Sequence, residues 1–131
     1  MARKPFSKVG YAQLEALRIV WRLGEATVRE VLEALPRKRR LAYTTVMTMM
    51  RMLEQKGYLT HTARDRTYVY RSTVDEDEVT RRLIRQVADG VSDGSPALLA
   101  AKLVQTGGLS DEQLLALRRL IDEVRRKERR P

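Results

Sequence analysis

The residue types that are missing or rare exclude several kinds of functional site. The chain has no cysteine and one histidine among 131 residues, which excludes disulfides, thiolate metal sites and a histidine-rich zinc centre. It contains no apolar run close to the roughly 18 residues that a membrane-spanning helix needs. The N-terminal segment MARKPFSKVGY is basic but lacks the apolar stretch of a secretion signal. We therefore expect a cytoplasmic protein without membrane insertion, metal or other cofactor.

Acidic residues are scarce in the first half of the chain. Residues 1–74 contain 15 Lys and Arg against 6 Asp and Glu, whereas residues 75–131 contain 11 of each kind. The whole net charge of +9 therefore lies in the first half. A basic half joined to a neutral half suggests one part that binds a polyanion and one part with a different task. A charge that served solubility alone would not need this division.

The segment Leu41–Leu59 has an apolar face and a polar face at helical spacing. The apolar face, which must pack against other elements, consists of Val46, Met49, Met50 and Leu53. The opposite face carries Thr44, Thr48, Arg51 and Gln55. Threonine can bond a base or touch a thymine methyl, and arginine can pair with guanine or phosphate, so this face could read a DNA major groove. A core helix with a solvated polar side is the alternative, and Gly57 predicts where the helix ends.

Two predicted helices and a cationic run precede this segment. An apolar repeat predicts a helix from Tyr11 to Gly24. Thr27 and Glu30 have the spacing of a capping box, so a second helix should begin there and end before Pro36. The run Arg37–Arg40 is either a solvated loop or a phosphate contact beside a DNA groove. The second and third helices together predict a helix-turn-helix.

Two segments with the composition of β-strands follow the third helix. Residues 58–63 and 67–71 are rich in β-branched and aromatic side chains, and Arg64-Asp65-Arg66 between them resembles a hairpin turn. A hairpin directly after the third helix is typical of a winged helix. Its two arginines suit the DNA backbone or the minor groove. His61 is either a pH-sensing group or an ordinary hydrogen-bonding residue.

The second half begins with the acidic run Asp75–Glu78, and we place a domain boundary between residues 74 and 75. Apolar repeats predict three further helices, which carry more apolar surface than so small a unit can bury. A second copy of the chain would cover that surface, which predicts a homodimer; a cap on the winged helix of the same chain is the alternative. The predicted dimer interface consists of Leu83, Val87, Leu114, Leu117, Ile121 and Val124.

With these elements the chain resembles the penicillinase-repressor (BlaI/MecI) family of bacterial transcriptional repressors over essentially its whole length. The residues that carry the resemblance are Leu14-Glu15, Val20-Trp21, Ala42-Tyr43-Thr44-Thr45-Val46, Thr48, Leu53, Lys56-Gly57-Tyr58, Arg66-Thr67-Tyr68-Val69-Tyr70 and Leu109-Ser110. The resemblance implies homodimers whose C-terminal helices intertwine and whose winged helices bind palindromic operators. By position it implies that Thr44, Thr45 and Thr48 face the groove and that Arg66 serves the wing.

The chain also departs from the family pattern. Met50 stands where the family usually has Leu, and Met52 where it has Arg, with Arg51 one position earlier. A different base preference or a shifted phosphate contact is therefore expected. Family members are typically inactivated after a membrane sensor protease triggers cleavage at an Asn-Phe pair, which aligns here with Lys102-Leu103, so inactivation by the same protease is in question. Copper-responsive relatives use a Cys-rich tail, and this chain has no cysteine.

Together these observations predict a mainly α protein with a small β wing. Residues 1–74 are expected to form a winged helix-turn-helix DNA-binding domain, and residues 75–131 a helical dimerisation domain. The expected function is repression by a homodimer on a palindromic operator in double-stranded DNA, relieved by a regulatory protease or another change in the C-terminal half. The predicted DNA-binding residues are Arg39, Arg40, Thr44, Thr45, Thr48, Arg51, Arg64 and Arg66.

Two other classes of function are alternatives to repression. A winged helix that binds a protein partner without reading DNA sequence is the alternative, because the same fold also mediates partner contacts. An enzyme is not expected, since the sequence offers no paired carboxylates in a plausible cleft, no nucleophilic cysteine and no metal motif.

Overall fold

A computed structural model describes residues 9–129, which form two compact units, one ending at Arg82 and one beginning at Leu83. Residues 1–8 of the basic N-terminal segment lie outside the described residues. The helices are α1 Tyr11–Leu23, α2 Val28–Ala34, α3 Tyr43–Gln55, α4 Glu76–Val91, α5 Pro96–Thr106 and α6 Asp111–Arg129. The strands are β1 Glu25–Ala26, β2 Leu59–Arg64 and β3 Thr67–Ser72, and a short 3-10 turn, Arg37–Arg39, links α2 to α3. Within residues 9–129 no helix combines the length and the apolar character needed to cross a bilayer.

The sheet of the first unit is antiparallel, with the strand order β1-β3-β2. The predicted hairpin is β2 and β3, paired from Leu59 with Ser72 to Arg64 with Thr67. Arg64 lies in the strand rather than in the turn, because the turn needs two residues, Asp65 and Arg66, with φ of 48° and 68°. Both positive angles match the right-handed twist of a hairpin. The sheet and the helices confirm the winged-helix expectation.

Helix α3 has the two faces that its sequence predicts. Val46, Met50 and Leu53 have no exposed surface and Met49 is 8% exposed. The helix packs through this apolar face against α1, α2 and β2. The remaining core side chains of the first unit are Ala16, Leu17, Ile19, Val20, Ala26, Val28, Val31, Leu35, Tyr58, Leu59, Val69, Tyr70 and Val79.

The C-terminal end of α3 is tied to the wing and to the chain that leaves it. Gly57 has φ of 89°, its N–H donates to the Glu54 carbonyl at 3.0 Å, and the N–H of Tyr58 donates to the Leu53 carbonyl at 2.9 Å. These bonds form a Schellman cap, as the predicted stop at Gly57 requires. Thr73, just beyond β3, donates its N–H to the Tyr58 carbonyl and its hydroxyl to the Gly57 carbonyl. The end of α3 and the exit from the wing therefore share one hydrogen-bonded junction.

Capping boxes form at the starts of α2 and α6, and the one at α2 is the predicted pair. At α2, Thr27 accepts the N–H of Glu30 at 3.1 Å and donates its own N–H to the Glu30 carboxylate at 3.0 Å. At α6, Ser110 and Gln113 exchange the same two bonds at 3.1 and 2.9 Å. Each box satisfies N–H groups that a helix start leaves without partners, and α2 begins where the sequence places it.

In the second unit, the helices leave most of their apolar side chains uncovered. Between Leu83 and Arg129 only Ala88 and Ser92 are buried. The Ser92 hydroxyl lies within hydrogen-bond distance of the Ala88 and Ser95 carbonyls, and Lys102 Nζ donates to the Val91 carbonyl at 2.7 Å. No two of α4, α5 and α6 pack extensively on each other. The local turns are therefore well bonded, but the unit has little core of its own.

The two compact units divide within α4, whereas the predicted boundary after residue 74 falls in the loop before it. The first turns of α4 belong to the first unit, where Val79 is 2% exposed. The acidic start of α4 is then counted with the basic half. Residues 1–82 contain 17 Lys and Arg against 10 Asp and Glu, and residues 83–131 contain 9 against 7. The first unit remains the more basic one.

Candidate nucleic-acid interface

The exposed face of α3 carries the side chains predicted to read bases. Thr44, Thr45, Thr48 and Arg51 are all exposed, directly behind the buried apolar face. The Thr48 hydroxyl donates to the Thr44 carbonyl at 3.0 Å. Its hydrogen therefore points back into the helix, and its oxygen lone pair and methyl group remain available. Thr48 can accept a hydrogen bond from a base amino group or touch a thymine methyl.

The two predicted arginines before α3 have different surroundings. Arg39 Nη1 lies 2.7 Å from the Glu15 carboxylate and 2.7 Å from the Tyr11 hydroxyl, and its guanidinium stands 5.3 Å from the centre of the Tyr11 ring. Arg39 thus connects the cationic run to α1. Arg40 is exposed and follows the 3-10 turn. Of the two, Arg40 is the one that can meet a phosphate without giving up an ion pair.

The two arginines of the wing differ in the same way. Arg64 donates to both carboxylate oxygens of Glu25, at 2.8 and 3.3 Å, which links the tip of β2 to the region of β1. This hydrogen bond, followed by the charge of Arg64, holds the pKa of the Glu25 carboxyl below its ordinary value against the opposing effect of burial. Arg66 lies in the turn itself and is exposed. The wing therefore presents Arg66 directly and Arg64 as half of an ion pair.

His61 connects the wing to α3. Its Nδ1 lies 2.7 Å from a Glu54 carboxylate oxygen, and its ring stacks on Tyr68 with 4.0 Å between ring centres. Tyr70 stands next to it, and burial raises the pKa of the Tyr70 hydroxyl, with a further rise from the Glu54 charge. These contacts fix the wing against the reading helix. They fit the hydrogen-bonding interpretation of His61.

A cleft of about 500 Å³ lies between α2, α3 and β3. Its polar lining includes Arg29, Arg51, Arg66, Tyr43, Tyr68 and Tyr70, and the described residues contribute no carboxylate to it. The guanidinium of Arg29 stands 5.7 Å from the centre of the Tyr43 ring. Sequence reasoning missed Arg29, Tyr43 and Tyr68 as functional candidates. Nothing in the local pattern of α2 indicates that Arg29 comes close to α3 and the wing.

The six residues predicted for the dimer interface lie in the second half of the chain, on α4 and α6. Ile121 is 57% exposed and Leu117 is 36% exposed, Val87 and Val124 lie between these values, and Leu83 and Leu114 are half-buried. Within the single chain these side chains therefore have little cover. In the part of the chain that the structure describes, no group of three His, Asp or Glu side chains could hold a metal ion.

Comparison with known proteins agrees with the geometry. The penicillinase repressor family matches residues 9–123. The chain is 31% identical over 120 residues to the transcriptional regulator BlaI of Mycobacterium tuberculosis, covering 90% of this chain and 86% of that protein. It is 22% identical over 120 residues to the penicillinase repressor of Bacillus licheniformis, covering 92% and 94%.

Among solved structures, the solution structure of the DNA-binding domain of the repressor BlaI matches 60% of this chain and 93% of its own length, with a TM-score of 0.52 and 28% identity. The shared part is the winged helix, and the family match extends through most of the second unit. The resemblance expected from the sequence is confirmed. The chain therefore belongs to the penicillinase repressor family of DNA-binding transcriptional repressors.

Proposed function

We propose that this protein represses transcription as a homodimer that binds a palindromic operator, with α3 in the major groove and the wing on the adjacent backbone or minor groove. The observation that carries the proposal is the pair of faces on α3, where a fully buried apolar face holds an exposed row of Thr44, Thr48 and Arg51 in place. A rigid helix that presents polar side chains is what base reading requires. The proposed activity is binding alone.

The exposed apolar side chains of the second unit support the homodimer. The predicted interface residue Ile121 is more than half exposed in the single chain, and its helix also carries Leu117 and Val124, each about one turn away. Large apolar patches on a monomer usually mark an interaction surface. A twofold dimer formed through this unit would place two winged helices on the two halves of a palindrome.

We further propose that repression is relieved through the second unit, by a regulatory protease or by another change there. The aligned cleavage position Lys102-Leu103 lies inside α5, where backbone hydrogen bonds hold the chain helical, although the Leu103 side chain is 57% exposed. A protease needs an extended segment, so cleavage at this position requires α5 to unfold locally first. Loss of the dimer would then weaken operator binding without any change to α3.

Selection of bound sites from a random DNA library tests the proposal. We expect the full chain to enrich a palindrome, because two identical reading units joined by twofold symmetry select two inverted half-sites. Light scattering of the free protein at micromolar concentration should give the mass of a dimer. Enrichment of no sequence at all would instead favour a winged helix that binds a protein partner, and a lone half-site with a monomer mass would contradict the homodimer.

A further inference from the structure

Two clefts of similar size on the first unit differ in charge. The cleft between α2, α3 and β3 has a volume of about 500 Å³ and contains the guanidinium groups of Arg29, Arg51 and Arg66. A second cleft of about 440 Å³, lined by α1, the end of α2 and the start of α4, contains Arg18 and Arg22 but also Glu15 and Glu76. Among the described residues, the first cleft therefore has three positive charges and no negative one, whereas the second is balanced. A concave site with charge of one sign concentrates the opposite charge.

The first cleft also lies at a particular place relative to the reading face. Tyr43, Met47 and Arg51 line it from α3, and they form the row next to Thr44 and Thr48 on the same helix. Thr67, Tyr68 and the turn residue Arg66 line it from the wing. A helix in a major groove and a wing in the neighbouring minor groove are separated by one sugar-phosphate strand. The cleft is the space between those two elements.

We infer that this cleft receives one strand of the DNA backbone and that Arg29, Tyr43 and Tyr68 contact its phosphates, an inference that rests on the DNA binding proposed above. Arg29 comes from α2, so α2 is a DNA-contacting element as well as a support for α3. Arginine offers several donors in a planar fork that fits phosphate oxygens, and the tyrosine hydroxyls offer one donor each.

The three side chains are held in position before DNA arrives. Arg29 stands over the Tyr43 ring, and Tyr68 is stacked on His61, which is itself bonded to Glu54. Tyr43 and Tyr68 remain 44% and 46% exposed, so both side chains can be reached by a ligand. The contrast with Arg39 and Arg64 is direct, because those two arginines have carboxylate partners in the free protein. The cleft thus offers positive charge that needs no ion pair to be broken.

The test uses the full chain and a duplex recovered from the library selection. Arg29→Ala should weaken binding about tenfold, the value of one charge-assisted hydrogen bond, and should do so equally on random-sequence DNA. The slope of log affinity against log salt concentration should become shallower by about one. Arg29→Lys should recover most of the loss, since it keeps the charge. Arg22→Ala, in the balanced cleft, is the matched control and should bind like the wild type.

Duplexes with single methylphosphonate linkages locate the contact. One neutralised phosphate in each half-site should weaken the wild type and Arg22→Ala but have little further effect on Arg29→Ala. If the wild type binds DNA and Arg29→Ala binds it with the same affinity and the same salt slope, the inference is overturned and the proposed function stands. A wild type that binds no DNA would overturn both.

A small anion offers the same chemistry as a backbone phosphate. Titration of phenyl phosphate into the DNA-free chain therefore tests whether the cleft binds a free small anion or a phosphate of the DNA strand. We expect no binding of phenyl phosphate below millimolar concentration, because one phosphate lacks the neighbouring contacts of a strand. Micromolar binding that Arg29→Ala abolishes, with DNA binding unchanged in that variant, would make the cleft a small-anion site and overturn the backbone assignment.

Discussion

In the first unit, three helices and a sheet enclose a continuous apolar core, whereas the helices of the second unit leave eleven large apolar side chains exposed between Leu83 and Arg129. The helices of the second unit also carry apolar side chains, but no strand covers them and no two of these helices pack extensively on each other. We expect the first unit to be stable alone, because its core is complete. In the proposed homodimer a second copy covers the apolar side chains of the second unit, so we expect the stability of that unit to rise with protein concentration.

The largest expected effect comes from separating the units. Residues 1–82 alone should fold and bind a half-site, but their affinity for the full palindrome should fall by about a hundredfold to ten-thousandfold, because the tether between two reading units is lost. Operator titrations of this fragment and the full chain measure the difference. A fragment ending at residue 74 lacks Val79, whose burial is worth about 1.5 to 3 kcal/mol, and should melt at a lower temperature. If the fragment bound the palindrome as tightly as the full chain does, the second unit would not be what joins two reading units.

A single charge in the second unit should have the next largest effect. Leu117→Asp should weaken the dimer by about 3 kcal/mol, roughly two orders of magnitude in its dissociation constant, because a carboxylate would enter an apolar interface. Arg119→Asp places the same side chain on the opposite face of α6 and should leave the dimer intact. Sedimentation equilibrium of both variants provides the measurement. Equal dissociation of the two would remove Leu117 from the interface.

Within the first unit, side chains that contact bases and side chains that contact phosphates should differ in how their loss depends on the DNA sequence. Thr48→Ala should reduce discrimination between operator and random DNA by about 1 to 3 kcal/mol, because a base contact is lost. Arg66→Ala should weaken binding to both kinds of DNA alike, since a phosphate contact carries no sequence information. Parallel titrations on the selected site and on random DNA measure both. Equal losses for Thr48→Ala on the two duplexes would remove it from the reading face.

The smallest expected effect concerns the ion pair of the wing. Arg64→Ala should raise the pKa of Glu25 towards its ordinary value, because the hydrogen bond from Arg64 is the main cause of the lowered pKa. A carboxyl whose pKa is lowered by folding stabilises the protein above its unfolded pKa, and this contribution disappears as the pH falls through the lowered value. Carboxyl chemical shifts followed by NMR during an acid titration give the pKa directly. A wild-type Glu25 that already titrates like a free carboxyl would show that the pair does not persist in solution.

The parts of the fold that follow from local patterns were predictable from the sequence. The buried row of α3 comes from its helical period, the end of that helix from Gly57, and the start of α2 from the Thr27 and Glu30 pair. The hairpin was also predictable, because two β-rich segments flank a short polar connection. In each case residues a few positions apart decide the structure. The tertiary packing is consistent with these local preferences.

Features that depend on distant pairs were not predictable. Strand β1 has two residues, which is too short for any period, and it exists because β3 pairs with it. The partners of Arg39 and Arg64 are 24 and 39 residues away in the sequence, so no local pattern reveals that these cations are already paired. Arg29 was missed for the same reason. The predicted domain boundary and the roles of the individual site residues remain predictions.

The junction of Gly57, Tyr58 and Thr73 places the exit of the wing at the C-terminal end of α3. This junction holds α3 at one end, and its buried apolar face holds it along its length. The 13 residues of α3 span about 20 Å, so a rotation of about 10° moves Tyr43 by about 3.4 Å, the rise of one base pair. A rotation large enough to shift the register by one base pair would therefore also displace Val46 and Met50 from the core, so the packed first unit fixes the position from which α3 meets DNA.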